Sequence, residues 1–176
     1  MKSHSRTQWL ENGSIALATL ALGIMAGFFW TYTFNVNLAM LELDGATYAT
    51  VQSLLNVNVR HVMFFSFFFG AGVLSVIAVI SNGGKWRSLT FWLLLIACMS
   101  YVVGIIFFTR QVNLPLNYYT ESWNPQQLPD DWASVRSQWN RANSLRVGTS
   151  GLAFVLSLSA LLSRTQQPVS ISRSTR

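Results

Sequence analysis

Four stretches of this chain carry no formal charge for 17 to 21 residues: 14–34, 62–80, 89–109 and 147–163. At 1.5 Å per helical residue, the longer ones reach about 31 Å, enough to cross the hydrocarbon core of a bilayer. Within lipid every backbone N–H and C=O must find its partner inside the segment, so such stretches are helices. The fourth is at the short end of this range, and Leu145 with a modest polar rim can extend it. Charged residues make up only 10% of the chain, against about 25% in soluble domains. The predicted fold is all-α: an integral-membrane, antiparallel bundle of four transmembrane helices. The first stretch is too long for the 7–15-residue core of a cleaved signal peptide, and Phe28-Phe29-Trp30 is a poor approach to a cleavage site.

This divides the 176 residues into an N-terminal segment (1–13), a membrane domain (14–163) and a Ser/Thr/Gln/Arg-rich tail (164–176) expected to be disordered. Four crossings put both termini on one side. That side carries Lys2, Arg6, Lys85, Arg87, Arg164, Arg173 and Arg176, with Lys85 and Arg87 packed into a short turn. The other side carries Arg60, Arg110, Arg136, Arg141 and Arg146 over much longer loops. The positive-inside rule then predicts cytoplasmic termini, in a plasma (inner) membrane. The basic residues flank apolar stretches and form no continuous face, so the expected partner is the lipid bilayer and not nucleic acid. Cys98 is the only cysteine, which excludes an intrachain disulfide; it reads as a small apolar packer. Nothing in the sequence fixes the oligomeric state. Thr19, Gly23, Gly27 and Thr31 recur every four residues as a face of small side chains, suited to packing inside the protein.

From Ala46 neither Pro nor Gly occurs until Gly70, so one helix is expected to run from about Ala46 through the second apolar stretch. From Trp132 no proline occurs until Pro168, so a single helix can start near Asp131 and run through the fourth. Pro115 is expected to stop regular continuation of the third. Helices two and four thus extend into an extracytoplasmic polar cap. Gln52, Asn56 and Arg60 fall at i, i+4, i+8 on one of them. Arg136, Trp139 or Asn140, Asn143 and Arg146 share a face of the other. Asn113 and Asn117 come from the chain that links them. Two readings stand side by side: convergent amides, guanidinium and indole form a pocket for a lipophilic small molecule, or the same groups are a satisfied network bracing the cap.

His61 and His4 are the only histidines, and the nearest carboxylates, Glu42 and Asp44, have no recognised spacing. No metal site is predicted and no cofactor. His61 is either a general base beside Arg60 or an interfacial residue at a helix mouth. No serine elbow, P-loop or dinucleotide fingerprint occurs. Uncharged membrane stretches argue against a proton-coupled transporter or an ion channel.

Gln52-x-x-x-Asn56, Val112-Asn113-Leu114-Pro115-Leu116-Asn117 and Trp139-Asn140-Arg141-Ala142-Asn143-Ser144-Leu145-Arg146, set among four short-looped spans, resemble the anthrone oxygenase-like family of small membrane proteins. The resemblance covers roughly residues 15–162. It departs from the family's pattern in lacking a proline after the first span and in having His61 where an asparagine is more usual. The resemblance implies a four-span fold and, for a few members, oxidation of anthrones to anthraquinones without a cofactor. In that chemistry His61 would be the base, Asn113, Asn117 and Arg146 the oxyanion donors, and Trp139 a stacking wall. The alternative is a non-catalytic membrane protein: a small-molecule or lipid binder, or a subunit of a membrane complex.

Overall fold

A computed structural model describes residues 2–165, with side chains from residue 7 to 164. The His4 side chain and, from residue 166, the expected disordered tail lie outside what is described. The chain forms α1 (Lys2–Thr31), which a π-helical turn (Tyr32–Val36) joins to α2 (Asn37–Leu41). Then come α3 (Gly45–Asn58), α4 (Val62–Ser81) and α5 (Leu89–Tyr101). Two π-helical segments, Val102–Phe107 and Thr109–Asn113, carry α5 into α6 (Leu114–Glu121), and α7 (Trp132–Thr165) closes the chain. The described residues contain no β-strand. Four helical stretches are long and apolar enough to cross a membrane: Thr7–Leu41, Val62–Ser81, Leu89–Glu121 and Trp132–Arg164.

α1 and α5 each pack against both α4 and α7, which closes a four-membered ring. Its interior is built from small residues such as Ala18, Ala71, Ala78, Ala97, Ala153 and Ala160. Larger side chains such as Leu22, Phe29, Tyr101 and Ile105 fill the rest of the core, and many others point outward, Val62 being 83% and Ile80 72% exposed. The apolar outer surface and the small residues between helices suit lipid, where helices gain nothing by hiding apolar surface from tails and gain contact by close backbone approach. Gly23 is one such approach: a methyl added there would sit 2.9 Å from the Phe154 ring. Gly27, one turn on, faces open space, so only the first glycine of that face serves packing within the chain. Nearby, the hydroxyls of Thr19 and Ser157 hydrogen-bond at 2.7 Å between α1 and α7.

At one end of the bundle the Glu11 carboxylate accepts from Lys85 Nζ at 2.5 Å and pairs with Arg164, whose Nε also donates to Asn12 Oδ1 at 3.1 Å. This ties α1, the turn after α4 and the end of α7 together, so both ends of the described chain lie on one side. The opposite end carries the cap, with its own apolar core of Met40, Tyr48, Ala49, Trp123 and Val135.

Two expectations fail here. The helix from Ala46 does not continue through the second apolar stretch; it stops at Asn58, and α4 begins at Val62. His61 is extended (φ −121°, ψ 163°), and its Nδ1 accepts the Phe64 amide at 3.3 Å, so a side-chain cap starts a new helix after a break that no Pro or Gly makes. Pro115 does not stop the third helix either, which runs through it to Glu121. Pro115 sits in the first turn of α6, directly after a π-helical segment. The widened turn opens the helix where the proline ring needs room and an N–H is missing.

Candidate functional site

Where the bundle meets the cap, α1, α3, α4, α6 and α7 enclose a cavity of about 260 Å³. This is near the lower limit of the ~300–1,000 Å³ of small-molecule pockets, a size for one compact ligand. Its walls are mostly apolar, with Phe28 from α1 and Phe64, Phe65, Phe68 and Phe69 from α4. Phe64 and Phe68 stack at 5.3 Å, and Phe28 meets Phe64 at 5.3 Å. The clustering follows from sequence, because α4 opens with Phe at 64, 65, 67, 68 and 69, so that any face of its first two turns carries a ring.

The polar end is built by α7, whose Trp139, Asn143 and Arg146 are spaced four and three residues apart and therefore share a face. Each is held by a neighbour. Trp139 Nε1 donates to Asn117 Oδ1 at 2.7 Å, and Asn143 Nδ2 to Thr33 Oγ1 at 2.5 Å. Arg146 Nη2 donates to Asn143 Oδ1 at 2.5 Å. The Arg146 guanidinium lies 4.8 Å from the Phe29 ring centre and 5.7 Å from that of Trp139. Arg146 is only 8% exposed, its Nε has no partner, and no carboxylate pairs with it among the described residues. A buried, unpaired cation costs several kcal/mol. Here it is held beside a cavity by an amide and two aromatic faces, with a donor left over.

The other cation on the wall is different. Arg60 makes a two-pronged pair with Glu121, the Nη1···Oε2 distance being 3.0 Å, and lies 5.5 Å from the Tyr118 ring. Its charge is balanced, so the cavity carries one net positive charge, that of Arg146. Thr109 also lines the cavity, and its Oγ1 is buried and unpartnered. The Tyr32 hydroxyl lies beside Gln52 without meeting hydrogen-bond geometry.

The structure brings together six of the residues singled out from sequence: Asn56, Arg60, Asn117, Trp139, Asn143 and Arg146 all line this cavity. Gln52 stands behind it, donating to Asn56 Oδ1 at 2.9 Å, while Asn56 donates to Thr120 Oγ1 at 3.2 Å. Asn113 is fully buried with neither amide atom partnered, and does not line the cavity. His61 is exposed and also lies off the lining, where it caps α4. Arg136 stacks between Tyr48 and Trp132 in the cap, at 5.3 and 4.8 Å. Burial there raises the Tyr48 phenol well above its ordinary pKa, so it stays neutral. The residues not foreseen are the Phe walls, Tyr32, Thr109 and Tyr118, and Glu121 as the partner of Arg60. The Phe run on α4 was a visible signal; its inward placement was not. Among the described residues no group of three or more His, Cys, Asp or Glu is arranged to hold a metal ion.

A family model described as anthrone oxygenase matches residues 57–156, more than half of the chain. The match spans α4 to the middle of α7 and so includes Arg60, Asn117, Trp139, Asn143 and Arg146. No curated protein and no solved structure matches the chain.

Proposed function

The chain belongs to the anthrone oxygenase family, and on that premise we propose that it is a membrane-bound oxygenase that oxidises a flat, lipophilic aromatic of the anthrone type with dioxygen and no cofactor. One observation carries this reading: Arg146, a buried cation with no carboxylate partner, at the polar end of a Phe-lined cavity. An anthrone is a ketone whose enol is a phenol of a fully aromatic ring system. Its anion is electron-rich enough to react with dioxygen directly, so the protein must bind the rings, hold the oxyanion and admit oxygen.

In this proposal the Phe walls take the ring system. Arg146 takes the oxygen, with Asn143 fixing the guanidinium and Trp139 flanking it. A cation beside the phenolic oxygen favours the anion, and the proton passes to water at the cavity mouth. The anion gives electrons to dioxygen and a C–O bond forms at the ring carbon opposite the ketone, giving a hydroperoxide. Loss of the second C–H proton with cleavage of the O–O bond makes the new carbonyl and releases water. One oxygen atom ends in the quinone and the other in water, and the substrate gives up two hydrogens. Lys85 and Arg87 at the end shared by the termini support a cytoplasmic location for that end, which makes the cap extracytoplasmic.

Purified protein in detergent, given an anthrone in aerated buffer, should consume one dioxygen per quinone formed, above the spontaneous rate. Arg146→Met should return the rate to that of buffer. Equal rates with and without protein would end the oxygenase reading. The second reading, a binder without turnover, is favoured by the absence of a carboxylate or imidazole from the lining. It predicts stoichiometric binding of the same compound with no rate increase.

A further inference from the structure

We infer that the cavity fills sideways from the bilayer, past its outer rim of Phe28, Phe65 and Phe69 on α1 and α4, and that its ligand is drawn from compounds dissolved in the membrane. These three residues line the cavity and are at the same time 37%, 41% and 50% exposed on the outer surface of the bundle. They lie within the helices long and apolar enough to cross a membrane. The surface around them is apolar too, with Ile24, Val62 and Val73 exposed on the same two helices.

The walls toward the cap are closed differently. Arg60 and Glu121 clamp α6 to the chain between α3 and α4, Asn56 holds Thr120, and Trp139 holds Asn117. A route through the cap breaks an ion pair and hydrogen bonds. A route past the phenylalanines breaks none, because rotating a ring at the outer surface only exchanges one apolar contact for another with lipid. The direction also orders the ligand. A flat apolar body fits the Phe-lined side, and its one polar or anionic end leads inward to Arg146. Compounds that partition into the bilayer with a single polar edge fit this path; sugars, nucleotides and peptides do not.

The inference rests on reading this cavity as the binding site, but its test needs no turnover. Full-length protein with Cys98→Ala is reconstituted in phosphatidylcholine liposomes and given one cysteine on the cavity wall, Thr109→Cys or, in a second variant, Leu114→Cys. Each is treated with a pyrene maleimide dissolved in the bilayer, or with a charged, membrane-impermeant methanethiosulfonate present on both sides. Val73→Cys reports lipid-facing reactivity and Asp130→Cys aqueous reactivity, and rates are normalised to these. The lipid-borne reagent should label the cavity cysteines faster by about tenfold or more, a barrier difference of ~1.4 kcal/mol. Phe65→Trp should slow that labelling without slowing Val73→Cys. Equal or faster labelling by the water-soluble reagent, indifference to Phe65→Trp, or no labelling at either cavity position overturns the inference. Lipid-borne labelling without anthrone turnover would keep the route and end the oxygenase reading; turnover with aqueous labelling would do the reverse.

Discussion

Arg146→Met separates a functional cation from a structural one. Methionine keeps most of the length and the apolar stem while removing the charge. In the free protein the substitution loses a charge-assisted hydrogen bond to Asn143 at 2.5 Å, worth about 1.5–3 kcal/mol. It also loses contacts with the faces of Phe29 and Trp139, worth about 0.5–2 kcal/mol each. Against this stands the relief of burying an unpaired cation, several kcal/mol for one ion. Asn143 lines the cavity, so water can reach its freed oxygen. The losses and the relief are of similar size and largely offset, and each 1 kcal/mol left over moves Tm by about 2–4 °C in a chain of this length. A bound oxyanion has no such compensation: losing the partner of a buried charge pair costs about 2–5 kcal/mol, or roughly thirtyfold or more in Kd. The assay pairs a thermal melt in detergent with titration of an anionic anthrone analogue under nitrogen. The expected result is a near-native Tm with affinity lost. A Tm collapse with unchanged affinity in the folded fraction would refute the reasoning and make Arg146 a brace.

Other consequences are as direct. His61→Ala should weaken the start of α4 by about 1 kcal/mol, as loss of an N-cap side chain does, and leave turnover intact; a large fall in kcat with unchanged stability would restore a base role. Gly104→Leu should destabilise the bundle by about 1–3 kcal/mol through overpacking, because even an added methyl would lie 2.8 Å from Thr149; a native melt would contradict that contact. Asp44 caps α3, accepting from the Thr47 amide and hydroxyl at 3.0 and 2.8 Å, and these bonds lower its carboxyl pKa. Its contribution is therefore present above the ordinary carboxylate pKa and lost as pH falls through the depressed value. Amide exchange at the start of α3 should accelerate over that acidic range in the native protein and show no such step in Asp44→Asn.

The four crossing helices were legible because lipid demands long uncharged stretches and leaves few alternatives. The α7 extension was legible from the same logic, with no proline to interrupt it. The triplet Trp139, Asn143 and Arg146 could be placed on one face because helical spacing fixes which side chains are neighbours, whatever surrounds them. Other features depend on long-range contact and were not readable. Nothing local marks the stop at Asn58, since His61 caps α4 only once the chain has turned. Pro115 carries a strong local rule, yet a π-helical segment absorbs it. Glu121 as the partner of Arg60 lies 61 positions away. The Phe-rich start of α4 could equally have faced lipid on all sides; only the packing of α1 and α7 shows which rings enclose a cavity. His61 shows the same limit from the other side: its residue type suggests chemistry, while the fold places it as the cap of α4, off the cavity lining.

The central claim, that a buried unpaired arginine holds the anionic form of an aromatic ligand, can be measured without turnover. Under nitrogen, an anthrone bound to the protein is titrated by absorbance, where neutral ketone and anion differ in colour. The bound ligand should ionise about one to three pH units below the free compound, and the shift should vanish in Arg146→Met. A bound ligand that titrates like the free one, or a shift that survives Arg146→Met, would contradict the account.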